Sequence, residues 1–161
     1  MGTHESVVTL LEDVAKSLGD SVRFGYGALE DFNSIPNKEF PYIWLYPLKG
    51  EFVASDGGKL TSTIEFECEV NFLVSDSVTG ADFETGKAWD DAFQLMEKYV
   101  HKLDEFVLGD DSGEPITTDL VELDRVRFEA GRKATGDALS GWKMSFLLRT
   151  PTAFEYCSIY D

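Results

Sequence analysis

A chain of 161 residues with 43% hydrophobic and 13% aromatic content can bury a core of its own as one domain over residues 1–161, without disulfide or metal support, and its composition is not that of a disordered chain. Its 14 Lys and Arg against 30 Asp and Glu give a formal net charge of −16. That argues against nucleic-acid binding, which needs a basic footprint where these cations are scattered. The charge fits solubility in a crowded or salty milieu, or a surface that keeps a polyanion from sticking.

In chain order, Val7, Leu10, Leu11, Val14 and Leu18 make one apolar stripe at helical spacing. They predict a helix over about residues 5–18, with Thr3 as candidate N-cap and Gly19 as the stop. Residues 21–26 read as a short strand with Val22, Phe24 and Tyr26 on one side. Residues 28–39 hold Asn33-Ser34 and Ile35-Pro36-Asn37, which are turn chemistries, and read as an irregular crossover. An aromatic strand follows over residues 40–47, interrupted at Pro47 because proline cannot donate to a ladder, and continues over residues 51–55. Asp56, Gly57 and Gly58 are the strongest hairpin signal in the chain and would pair that strand with the next.

The next stretch, residues 63–74, organises the rest. Ile64, Phe66, Cys68, Val70, Phe72 and Val74 alternate with Glu65, Glu67, Glu69 and Asn71. Successive side chains of a strand point to opposite faces, so one face is core and the other acidic. At about 40 Å this strand belongs in the middle of an antiparallel sheet. A helix over residues 82–108 is predicted from the stripe of Ala88, Trp89, Ala92, Phe93, Met96, Tyr99, Val100, Leu103, Phe106 and Val107, with Gly109 as its stop. Its length of about 39 Å matches the strand, as packed partners would. A second hairpin ends the chain: Val121, Leu123, Val126, Phe128 and Ala130, with a slip between Leu123 and Val126 that predicts a bulge, then Trp142, Met144, Phe146 and Leu148, with Pro151 as the stop. Residues 131–141, with Arg132 and Lys133, read as a long polar loop suited to a partner. Phe154, Tyr156 and Tyr160 read as a tail folded back on its own domain. The expected fold class is α+β: a twisted antiparallel sheet of about four to five strands with two helices, one short and N-terminal, one long and central, packed on one face.

No constellation for catalysis emerges, so no enzyme, cofactor or metal is expected. His4 and His101 are the only histidines and are far apart in sequence. Gly25-Tyr26-Gly27-Ala28-Leu29-Glu30 begins like a dinucleotide fingerprint but has Glu30 where the last glycine belongs, and reads as a turn. Neither a phosphate-binding loop nor a nucleophile elbow occurs. Asp110, Asp111 and Glu114 do not match the spacing of a calcium loop and read as a solvated turn. Asp90 and Asp91, towards the N-terminal end of the long helix, read as favourable charges on its dipole. Cys68 and Cys157 form no paired motif, and so few cysteines read as an intracellular chain. The run from Ile43 to Tyr46 is far too short to cross a membrane, and no signal peptide is expected. The match of Met1 to Ser6 to the loose myristoylation pattern reads as chance.

The Glu65, Glu67, Glu69 row is the sharpest signal. Like charges about 7 Å apart on one strand face repel, unless they meet cations or a basic partner, or serve to repel something else. Replacing all three by Gln is expected to leave folding intact or to raise stability.

The order of elements, with segments such as Phe40 to Leu48 and Trp142 to Pro151, resembles the tail-terminator and tail-completion proteins of long-tailed bacteriophages. The resemblance lies in topology, carries no signature residues, and covers about residues 5–151. It implies a subunit of a closed ring, most often a hexamer, that caps the tail tube and joins it to the head connector in the virion's neck, after assembly in the cytoplasm of the host bacterium. DNA would pass through the lumen without specific binding, with Glu65, Glu67 and Glu69 as candidate lining. Asp56, Gly57, Gly58, Arg132 and Lys133 would then contact the tube or connector. A charge of −16 per subunit becomes roughly −96 over six, which calls for salt, divalent cations or basic neighbours.

Two other classes remain open. Tyr42, Trp44, Tyr46, Trp89, Phe93 and Trp142 would wall an apolar ligand pocket, and the charge would suit an acidic inhibitor that mimics DNA.

Overall fold

The computed structural model describes residues 2–36, 38–53, 63–75, 82–109, 122–132 and 139–160. In chain order they form α1 (Thr3–Lys16), β1 (Arg23–Tyr26), α2 (Leu29–Asn33), β2 (Tyr42–Leu45), β3 (Lys49–Val53), β4 (Thr63–Ser75), α3 (Asp82–Leu108), β5 (Glu122–Arg132) and β6 (Leu139–Pro151). The fold is α+β. The described strands make one sheet in the order β1-β2-β4-β6-β5, with β3 paired to β4 beside β2.

The alternation in β4 decides the architecture. Phe66, Cys68, Val70 and Phe72 are buried together with Met144, Phe146 and Leu148, their neighbours from β6, because directly opposed residues of an antiparallel pair share a face. Two helices cover this face. α1 contributes Val7, Leu10, Leu11, Val14 and Ala15, and α3 contributes Leu95, Met96, Tyr99, Leu103, Phe106 and Val107. The Tyr99 hydroxyl donates to the Leu11 carbonyl at 3.0 Å, which joins the two helices inside the core. Gly109 ends α3 at φ 96°, a left-handed conformation natural to glycine, and its N–H reaches the Glu105 carbonyl. Phe154 and Tyr156 are buried in the same core, so the tail folds back on its own domain.

The bulge expected between Leu123 and Val126 is present. The β5–β6 register slips between Asp124 and Arg127, and Arg125 takes a left-handed φ of 46°. Pro47 likewise falls in the break between β2 and β3. Several features differ from the expectation. α1 spans Thr3–Lys16, so Thr3 lies inside the helix, Gly2 is the N-cap, and Leu18 falls beyond its end. The sheet has six described strands rather than four or five, because the long aromatic segment counts as two strands and β1 joins its end. β1 runs parallel to β2, since the crossover between them holds a helix and not a tight turn. That helix, α2, stands on the opposite face from the other two. Phe32 packs there on Trp44 and Leu73, and the Asp31 carboxylate accepts the Ala28 N–H at 2.8 Å at the helix start.

Gly25 lies in β1 rather than in a turn, and its role is clearance: a Cβ there would stand 2.3 Å from the Trp44 ring.

A candidate assembly surface on the open sheet face

Beyond the patch covered by α2, no described element packs on the second face of the sheet, hereafter the open face. Parity along the strands lists its members. β4 presents Glu65, Glu67, Glu69 and Asn71, which register against Arg149, Leu147, Ser145 and Lys143 of β6. Outside β4, Lys49 of β3 stands opposite Glu67 and Glu51 opposite Glu65. Outside β6, Arg127 and Glu129 of β5 stand opposite Ser145 and Lys143.

The glutamate row therefore meets cations. Arg149 Nε donates to Glu65 Oε2 at 2.7 Å, and the Glu65 side chain is only 14% exposed. Lys143 bridges to Glu129 at 3.3 Å. That hydrogen bond, against partial desolvation and with help from the nearby Glu69 charge, holds the Lys143 ammonium above its ordinary range. Glu67 is exposed and stands between shallow depressions. One, of about 310 Å³, is lined by Glu67, Arg125, Arg127, Ser145 and Leu147. A second, of about 260 Å³, lies between Glu67, Glu69, Lys49 and Tyr46. Among the described side chains this face carries Lys49, Arg125, Arg127, Lys143 and Arg149 against Glu51, Glu65, Glu67, Glu69 and Glu129, five charges of each sign. Glu122 and Asp124 of β5, whose side chains are outside the described ones, register with Arg149 and Leu147 of β6, so the balance is that of the described side chains alone. Part of the chain's acid excess stands on the outer side of α3, where Asp90, Asp91, Glu97 and Asp104 are exposed.

No protein-family model matches this chain, and no curated protein matches it. Among solved structures, it is similar to a chain from the virion of a native gene transfer agent particle, with a TM-score of 0.46 and 15% sequence identity, over 93% of this chain and 95% of that one. A likeness that loose carries no argument about function.

The aromatic residues expected to wall one pocket are divided by the sheet. Tyr42, Trp44 and Tyr46 cluster with Phe32 on the open-face side, whereas Phe93 and Trp142 stack at 5.1 Å on the helical side. The Trp142 indole N–H donates to the Trp89 carbonyl, which places Trp89 on the helical side too. Sequence parity within each strand gave the alternation, but only the register assigns strands to a common face.

Of the candidate loop contacts, Asp56, Gly57, Gly58 and Lys133 lie outside the described residues, as do Asp110, Asp111 and Glu114. Arg132 ends β5, and its side chain is outside the described ones. Among the described residues no three His, Cys, Asp or Glu stand together as a metal site would need, and no helix is long and apolar enough to cross a membrane. His4 sits at 3.0 Å from the Tyr26 hydroxyl, and His101 is exposed on α3.

The residues that sequence reasoning missed are the cations of the face. Arg125, Arg127, Lys143 and Arg149 had a signal of their own: in β6 the two cations occupy the polar positions of the alternation, the parity that faces the glutamates once the strands pair.

Proposed function

We propose that this chain is a structural subunit of a phage-like particle, and that copies of it close into a ring where a tail tube ends and the head connector begins. The observation that supports this reading is the half-covered sheet. Strands β4 and β6, of 13 residues each, are packed by α1 and α3 on one side and, among the described residues, covered only at one patch by α2 on the other, and the described strands end in edges at β3 and β5. Free edges beside a broad, charge-patterned face are features that assembly makes use of and that solitary proteins blunt.

In such a ring the Glu65, Glu67 and Glu69 row is the candidate lumen lining, with α1 and α3 outside. Arg149 and Lys143 limit its repulsion, and a face on which cations and carboxylates are interspersed offers a passing duplex no continuous basic footprint. Tail tube protein and head connector proteins are the partners this reading implies, in the neck of a virion, with no enzymatic role.

The test is the absolute mass in solution, by light scattering behind a sizing column at low and high salt. The reading expects a closed multiple of 18.0 kDa, favoured as salt screens the repulsion between subunits of charge −16. A monomer at every salt and protein concentration that also fails to bind purified tail tubes would overturn it.

A further inference from the structure

Among the described strands β3 and β5 are outer strands of the sheet, and they match in layout. Every described side chain from Arg125 to Ala130 on β5 is exposed, and no described strand pairs with its outer side. The bulge sets Arg125 and Arg127 towards the same depression on the open face. Neither arginine has an ion-pair partner among the described residues, an unusual state for cations in so acidic a chain. On the helical side of the same strand stand Val126 and Phe128, 37% and 55% exposed, with Phe128 edge-to-face on Phe93 and Trp142.

β3 is the complement. On the open face it carries Lys49, across from Glu67, and Glu51, exposed and without a described ion pair. The neighbour of Glu51 across the strands is another carboxylate, Glu65, which Arg149 already holds. On the helical side it carries Phe52, 59% exposed, since Phe52 registers with Ile64. Each edge thus has charge on one side and an exposed apolar residue on the other; on β5, where Lys143 holds Glu129, the charges left without a described ion pair are Arg125 and Arg127, and on β3 Glu51 stands beyond Lys49.

The geometry points to β3 and β5 as the two halves of one contact between copies of this chain, Glu51 meeting Arg125 and Arg127 while Phe52 meets Val126 and Phe128. β3 runs antiparallel to β4, β4 to β6 and β6 to β5, so β3 and β5 point in opposite directions. Two copies standing side by side in the same orientation bring these edges together as an antiparallel pair, in which each side chain type finds its complement. The contact is head to tail, the kind that closes into a ring when the rotation between copies allows. Pairing β5 with β5 would set four guanidinium groups against each other. β1, the remaining edge, offers Arg23, which Glu39 already binds through Nε at 2.8 Å. This assignment rests on the ring reading and adds the surfaces that make the ring.

The experiment is a charge-reversal cycle on the full chain: R125E/R127E, E51R, and the combination of all three, each checked by circular dichroism and compared by light scattering over a concentration series. The expected result is that R125E/R127E and E51R each weaken self-association on the order of tenfold or more, and that the combination recovers most of the loss. If the arginine reversal fails to fold, E51R on the opposite edge and a 1:1 mixture of wild type with E51R give the same reading. Variants that assemble as well as a wild type that forms rings would overturn the edge assignment and leave the ring reading standing. Loss in R125E/R127E without recovery by E51R would overturn the pairing with β3. A wild type that is monomeric throughout and does not bind tail tubes would overturn both.

Discussion

Tyr156 donates its hydroxyl to Asp13 at 2.9 Å, a bond that ties the last turn of the tail to α1 across 143 positions of sequence. The Asp13 carboxylate is fully buried and also accepts from Ser158 Oγ at 2.7 Å and the Ile159 N–H at 3.0 Å. A buried carboxylate is tolerated only with such a set of donors, and its removal leaves them unsatisfied. Asp13→Ala is expected to destabilise the fold by about 3 kcal/mol and Tyr156→Phe by about 1 kcal/mol. Urea unfolding of both variants checks this; an unchanged midpoint for Asp13→Ala would mean that the tail is not held by this carboxylate.

The same buried groups make the fold sensitive to alkali. Burial, then the Asp13 hydrogen bond, push Tyr156 up; burial puts Tyr99 well above the usual phenol; burial and the Glu67 charge raise the Cys68 thiol. Each group ionises less readily folded than unfolded. Its contribution is therefore complete below the unfolded value, about 8.5 for a thiol and about 10 for a phenol, and is lost as pH climbs towards the folded value. The loss per group is at most about 1.4 kcal/mol per pH unit. The urea midpoint is expected to fall between about pH 9 and about pH 11, with a shallower slope in Tyr99→Phe. Equal slopes in variant and wild type would count against it.

Thiol chemistry follows from the two cysteines' places. Cys68 is buried in β4 with its thiol held protonated, whereas Cys157 is exposed in the tail. A disulfide reagent at neutral pH is expected to label Cys157 at once and Cys68 only as the protein unfolds. Rapid reaction of both thiols in the native protein would show that the β4–β6 core opens readily.

Much of the fold was legible because it is periodic. The alternation of residues 63–74 gave β4 and its core face, the stripe of Trp89 to Val107 gave α3, and the slip at Leu123 gave the bulge at Arg125. What stayed hidden depends on pairings between distant residues. Glu65 finds Arg149 across 84 positions, and no local pattern announces that register. The parallel pairing of β1 with β2 and the separation of Trp44 from Trp142 by the sheet are of the same kind. α2 escaped because Asn33-Ser34 and Pro36 read as turn residues, while the helix is only five residues long and held by Phe32 on Trp44, a tertiary contact.

Register also divides the three glutamates, which strand periodicity treats alike. Glu65 is mostly buried against Arg149, so Glu65→Gln gives up a charge-assisted hydrogen bond in a partly shielded place. The guanidinium is 39% exposed, and solvent screening keeps the expected loss to about 1 kcal/mol. Glu67 is exposed, with glutamates on either side of it along the strand and Lys49 across from it, so attraction and repulsion nearly cancel. Glu67→Gln is expected to stay within about 0.5 kcal/mol of wild type. The triple substitution, expected from the sequence alone to be neutral or stabilising, is then mildly destabilising, and the loss comes from Glu65. A double-mutant cycle of Glu65→Gln with Arg149→Met, read by urea unfolding, isolates the pair. A coupling near zero would return the row to the plain repulsive reading, and a loss concentrated at Glu67 would place the decisive contact in the depression it shares with Arg125 and Arg127.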